Sequence, residues 1–289
     1  MFIGVINKTK AFWGGKKGAS IIQPYFDFFR LMKKGLVISK TSSFIFTIFP
    51  TLSFASLIVA GLFIPMVTSH PIINVEAGFI IFAYILALGK FFLLIGAMDT
   101  GSSFEGMGAS REACFSTMIE PAFFITMASI VSYTGVFSFE GIPLIFSRTR
   151  EAGIIVIALT VIVFFIIMLV EAGRVPVDDP DTHLELTMIH EVMILDNSGF
   201  DLALLTYGSG IKMLIFTSLI ASLLIPQNLN LLVSYILYFV IVFITASLIG
   251  TIEASFARLR MTRIFEFIFF ISSLSLIIFS LTAIKFYGN

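Results

Sequence analysis

The chain has 289 residues, of which 58% are hydrophobic and only 12% charged, and its basic and acidic side chains balance at 18 each. Soluble domains are about a quarter charged, so too little polar surface remains to cover a water-soluble globule, and lipid must face most of this one. No basic excess points to nucleic acid as a partner, and no phosphate-cradling glycine pattern appears. A single cysteine, Cys114, excludes internal disulfides. It equally excludes an iron–sulfur cluster or a cysteine-built zinc site held by this chain alone. With three His (His70, His183, His190) besides, no self-contained metal centre is expected.

In chain order, the first element is a basic interfacial segment, 1–43, carrying Lys8, Lys10, Lys16, Lys17, Arg30, Lys33, Lys34 and Lys40. Seven stretches long enough to span a bilayer follow, at 44–66, 77–98, 112–134, 152–172, 208–225, 230–252 and 263–285. The fold expected is all-α, a polytopic helix bundle over 44–289, and with no internal repeat or linker the chain 1–289 reads as a single membrane domain. If the spans alternate, the basic segment, Arg111, Arg174, Lys212, Arg258, Arg260 and Arg263 share one side, which the positive-inside rule makes cytoplasmic. The N-terminus is then cytoplasmic and the C-terminus outside. The connection 173–207 is long and acidic, and within it Leu184–Leu195 reads as a short helix at the interface.

Ionisable groups inside spans cost roughly 2.5 kcal/mol or more and mark function by default. Lys90 lies in the second span. Glu112 and Glu120 lie in the third, eight residues and so about 80° apart around the helix. Glu112, Asp99, Glu171 and Glu253 sit near span ends, where reaching water is easy and a structural role serves equally well. Glu120, followed by Pro121, falls near mid-span and is expected to be neutral or paired, with Lys90 a candidate partner. His183 and His190 share a helical face, and packing or hydrogen bonding suits them better than a metal. Gly101, Gly106 and Gly108 suit tight turns and close packing.

After the fourth span runs Glu171-Ala-Gly-Arg174-Val-Pro176-Val-Asp178-Asp-Pro180-Asp181-Thr-His183-Leu-Glu185-Leu186. Eight positions at fixed spacing (Glu171, Arg174, Pro176, Asp178, Pro180, Asp181, Glu185 and Leu186) resemble the signature loop of the membrane "heel" component of complex I, the subunit 1 family. Asp99 through Glu112 is similar to that family's second cytoplasmic loop, and Gly15 through Asp27 to its basic amphipathic segment. The wording His183-Leu-Glu-Leu-Thr-Met-Ile-His-Glu191 resembles the energy-converting nickel–iron hydrogenase and formate hydrogenlyase branch. Two features depart from the pattern. Family members begin with a complete span, whereas Met1–Ile6 gives only a stub. The stretch from Leu186 to Ser198 is also about three residues longer than in complex I, which leaves both Asp196 and Glu191 as candidates for the family's acidic residue.

The resemblance implies a non-catalytic component of the inner (cytoplasmic) membrane. Its implied partners are the hydrogenase large and small subunits and iron–sulfur subunits of a soluble arm, together with antiporter-like membrane subunits. Iron–sulfur clusters and the nickel–iron site would sit on those partners, and no cofactor on this chain. Glu120, Glu112, Glu171, Asp99, Lys90 and Glu253 would form a relay for proton or sodium coupling. Arg174, Asp178, Asp181, Glu185, Glu191 and Asp196 would form the acidic coupling loop, with Arg174 clamping the loop's own carboxylates. Three other readings stand beside it: the quinone-site component of a respiratory dehydrogenase, with its pocket beside the basic segment; a stand-alone transporter; and a passive anchor.

Overall fold

The computed structural model describes residues 1–67, 70–147, 151–180, 187–226 and 229–287. In chain order the helices are α1 (Phe2–Trp13), α2 (Gln23–Met32), α3 (Phe44–Gly61), α4 (Gly78–Asp99), α5 (Ser103–Thr134), α6 (Gly141–Ser147), α7 (Glu151–Glu171), α8 (His190–Met193), α9 (Gly199–Leu224), α10 (Leu231–Ser255) and α11 (Met261–Tyr287). Among the described residues, seven helices (α3, α4, α5, α7, α9, α10 and α11) are long and apolar enough to cross a membrane. They match the seven expected spans in order. The third and fifth begin about nine residues earlier than hydropathy suggests, because a helix continues beyond the lipid as long as its backbone is hydrogen-bonded. The polar run 103–111, expected as loop, is therefore the first turns of α5.

Between lipid-exposed helices the hydrophobic effect supplies no net attraction, so close packing and polar contacts hold the bundle. Glycine makes this possible between α3 and α4. A Cβ on Gly89 would lie 2.0 Å from the Ser56 hydroxyl, and one on Gly96 2.2 Å from the Phe49 ring. The most enclosed span is α9, with 67% of its apolar window buried, against 28% for α4, α10 and α11. Around α9 run α3, α7, α10, the short α6 and the amphipathic α2. The outward faces of α10 (Leu232, Ile236, Phe239, Phe243) and α4 (Tyr84, Leu88, Phe91) are exposed and apolar, as lipid-facing surfaces are.

The connections gather at two ends. At one, Asp99 accepts hydrogen bonds from Ser43 N and Oγ and from Phe46 N. There too Ser198 Oγ accepts from Val37 N, and Pro176 O from Leu259 N. At the other, Phe137 O accepts from Ala77 N, and Glu140 holds Asn74 and His70. The residues read as a stub, Met1–Ile6, open a helix that lies on α10: Phe2 and Ile6 are buried, Lys10 pairs with Glu253, and Trp13 Nε1 donates to Thr251. The short helix expected over Leu184–Leu195 is only one turn, His190–Met193, within the described part. Asp178 accepts hydrogen bonds from the amides of Ile189 and His190, which fixes where that turn starts. Residues 184–186 lie outside the described residues.

Candidate functional site

Four ionisable side chains from four helices meet inside the bundle. They are Lys90 (α4), Glu112 (α5), Glu171 (the last residue of α7) and Lys212 (α9), each only 7–8% exposed. Lys90 Nζ donates to Glu171 Oε1 at 2.5 Å and to Ser116 Oγ at 2.6 Å, and lies 3.9 Å from Glu112 Oε1. Lys212 Nζ donates to the Glu171 carbonyl at 3.0 Å and stands 3.9 Å from Glu171 Oε2. Two ammoniums face two carboxylates, so the charges cancel formally, which is the condition for keeping them away from water. Lys90 lies nine residues before the end of α4, roughly 14 Å along the axis, and its side chain reaches the last residue of α7.

His190 borders the cluster from the side of the acidic loop, where Gly173, at φ 58°, leaves room for its ring. Burial, reinforced by the positive charge of Lys212, lowers the His190 pKa to about 4. The imidazole is therefore neutral at neutral pH.

Two cavities flank Glu171. One, of about 40 Å³, lies among α4, α5, α7 and α9 and is lined by Leu86, Lys90, Glu120, Phe123 and Glu171. The other, of about 30 Å³, lies between α3 and α9 and is lined by Ser53, Ser209, Lys212, His190 and Glu171. Each has room for about two water molecules.

The structure sorts the residues singled out in the sequence. Lys90, Glu112 and Glu171 come together in the cluster. Glu120, expected from its mid-span position to be neutral or paired, is instead exposed on the outer face of α5. It reaches the cluster only through the first cavity and acts on Lys90 by charge. Its eight-residue offset from Glu112 turns it towards the bundle surface. Asp99 caps the N-terminus of α3 and makes no contact with the cluster. Glu253, its side chain fully enclosed, is held by Arg174 and Lys10, each at 3.2 Å. Among the described residues, Arg174 thus grips α10 rather than the carboxylates of its own loop.

Within the loop, Asp178 is clamped by Arg258 at 3.3 Å, and Arg258 also donates to Val177 O and Thr187 O. Asp196 is exposed and Glu191 half-buried, neither in the cluster. Asp181, His183 and Glu185 lie outside the described residues.

Three residues escaped the sequence reading. Lys212 passed as an interfacial charge because its span was started nine residues late; the Asn197-Ser198-Gly199 cap would have placed it thirteen residues into the helix. Arg258 counted only towards orientation. Glu105, 1% exposed, accepts a hydrogen bond from Asp196 N; reading 99–111 as loop hid it.

Comparison with known proteins agrees with this architecture. The family model described as "NADH dehydrogenase" matches residues 3–283. Hydrogenase-4 component C of Escherichia coli (strain K12) is 28% identical over 262 residues, covering 86% of this chain and 81% of that protein. Formate hydrogenlyase subunit 4 of the same organism is 24% identical over 265 residues, covering 89% and 85%. Among solved structures, a chain of the membrane-bound sulfane sulfur reductase, an archaeal respiratory membrane complex, superposes with a TM-score of 0.81 at 19% identity, covering 97% and 93%. The chain is a multi-pass membrane protein and belongs to the NADH dehydrogenase family of membrane subunits, which its hydrogenase and formate hydrogenlyase relatives share.

Proposed function

We propose that this chain is the membrane component of a hydrogenase- or formate hydrogenlyase-type complex. It docks a soluble redox arm and couples electron transfer there to proton or sodium translocation. The observation that carries this reading is the buried Lys90–Glu112–Glu171–Lys212 cluster. Charges buried inside a lipid-facing bundle are expensive to keep, and a passive anchor would have no use for them. Two relatives that each match more than four-fifths of this chain, a hydrogenase component and a formate hydrogenlyase subunit, support the branch.

In this reading the arm sits over the end formed by the 172–198 and 256–260 connections, on the cytoplasmic side of the inner membrane. The arm's hydrogenase large and small subunits and iron–sulfur subunits carry the metal chemistry. Asp178, pinned by Arg258, holds α8 in place, so a shift of the acidic loop moves His190 against Lys212 and Glu171. A change of charge there passes through Lys90 and the first cavity to Glu120. Because Glu120 is exposed on the bundle surface, it can hand a proton to an adjacent antiporter-like subunit.

The quinone alternative places its pocket beside the basic segment. The cavity there, lined by Ile3, Pro24, Tyr25, Tyr207 and Leu214, is about 50 Å³. An engineered cavity that binds benzene is about 150 Å³, so this chain by itself encloses too little space there for a quinone ring.

The test uses Glu171→Gln and Glu120→Gln in membranes of the native host. Both variants are expected to assemble with the redox arm yet lose ion translocation, or stop turnover. Wild-type turnover together with wild-type translocation in both would refute the reading.

A further inference from the structure

Lys212 carries an inference that goes deeper into the same cluster and rests on the reading just given. The Glu171 carboxylate is shared unequally. Its Oε1 takes a 2.5 Å hydrogen bond from Lys90, while its buried Oε2 accepts no hydrogen bond among the described residues and faces Lys212 Nζ at 3.9 Å. A buried carboxylate oxygen left without a donor costs free energy, and a movement of about 1 Å would give it one, since charge-assisted bonds form near 2.8 Å. Lys212 is already anchored by its bond to the Glu171 carbonyl. Lys90, if released, keeps Glu112 at 3.9 Å.

Glu171 is also the one carboxylate that lines both cavities, with Lys90 and Glu120 in the first and Lys212 and His190 in the second. The groups facing it are therefore Lys90 from α4, Glu112 from α5, His190 from α8 and Lys212 from α9.

We propose that Lys212 is the second charge partner of Glu171, and that the carboxylate exchanges between Lys90 and Lys212 as a valve between the two cavities. A proton taken from water in the α3–α9 cavity onto Oε2 weakens both ion pairs. The same carboxyl then releases a proton to water in the cavity that reaches Glu120. One proton enters and one leaves, and the cluster returns to two ammoniums and two carboxylates. The competing role for Lys212 is purely structural, a donor that satisfies the last carbonyl of α7.

Lys212→Gln separates the two roles, because glutamine can still donate to that carbonyl but carries no charge. In the assembled complex in native membranes, Lys212→Gln is expected to lower ion translocation per electron transferred roughly a hundredfold, because Glu171 then loses the partner that lets it pass a proton on, and proton transfer by a positioned group contributes at least that much; Lys212→Arg restores it. Translocation at the wild-type level in Lys212→Gln overturns the valve. If Glu171→Gln is also unaffected in the same membranes, the coupling reading itself falls instead.

A second measurement does not require assembly. Infrared spectra of the purified full chain in nanodiscs at neutral pH should show a new protonated-carboxyl band in Lys212→Gln, absent from Lys212→Gln/Glu171→Gln. Spectra of Lys212→Gln identical to wild type overturn the proposal.

Discussion

Replacing Lys90 with Met removes the cation that holds the most charge in the cluster. Its ammonium is 2.5 Å from Glu171 and 3.9 Å from Glu112. At an effective dielectric of about 20, contacts of those lengths are worth about 7 and about 4 kcal/mol before desolvation. Desolvation opposes both, and breaking a buried pair by deleting one partner costs about 3–5 kcal/mol net. Lys90→Met should therefore be destabilised by about 3–5 kcal/mol, because Lys212 alone then faces two carboxylates. Removing the uncompensated charge should recover most of that loss, so Lys90→Met/Glu171→Gln is expected to be more stable than Lys90→Met by roughly 2 kcal/mol or more, a non-additivity that only coupled sites show. The assay is thermal unfolding of the purified chain in one detergent, followed by circular dichroism, for wild type, both single variants and the double. Additive effects, or a Lys90→Met midpoint equal to wild type, would refute the argument that these four charges act as one balanced unit.

Two further outcomes are expected. Asp99→Ala removes three hydrogen bonds at the start of α3; it should lower stability by about 1–2 kcal/mol while leaving ion translocation per electron unchanged, measured in the same membranes as Glu171→Gln. His190 gives a pH signature. Its pKa is about 4 in the folded chain against the ordinary 6.5, so as pH falls below 6.5 the unfolded chain takes up a proton that the folded chain refuses until about 4. This group's contribution is therefore present above pH 6.5 and lost progressively towards pH 4. In His190→Gln the midpoint of unfolding should fall less between pH 7 and pH 4.5 than in wild type, and parallel curves would show that burial does not hold this imidazole neutral.

The sequence by itself determined the solvent, the seven spans and the family. These follow from one-dimensional quantities: runs of apolar residues as long as a bilayer is thick, and eight signature residues at fixed spacing after the fourth span. It also picked out Lys90, Glu112 and Glu171, because charge inside an apolar run is visible without knowing what it touches. The tertiary structure decided the pairing. Of the two carboxylates on α5 the mid-span Glu120 was the more conspicuous, yet the turn between them sends Glu120 to the surface and Glu112 to the interior. Arg174 and Asp178 stand four residues apart, but each finds its partner about 80 positions away, on Glu253 and Arg258. Lys212 looked interfacial until its helix proved to begin at Gly199. The physical reason is common to all three: burial and ion pairing are set by how helices rotate and pack against one another, and hydropathy along the chain carries no information about that rotation.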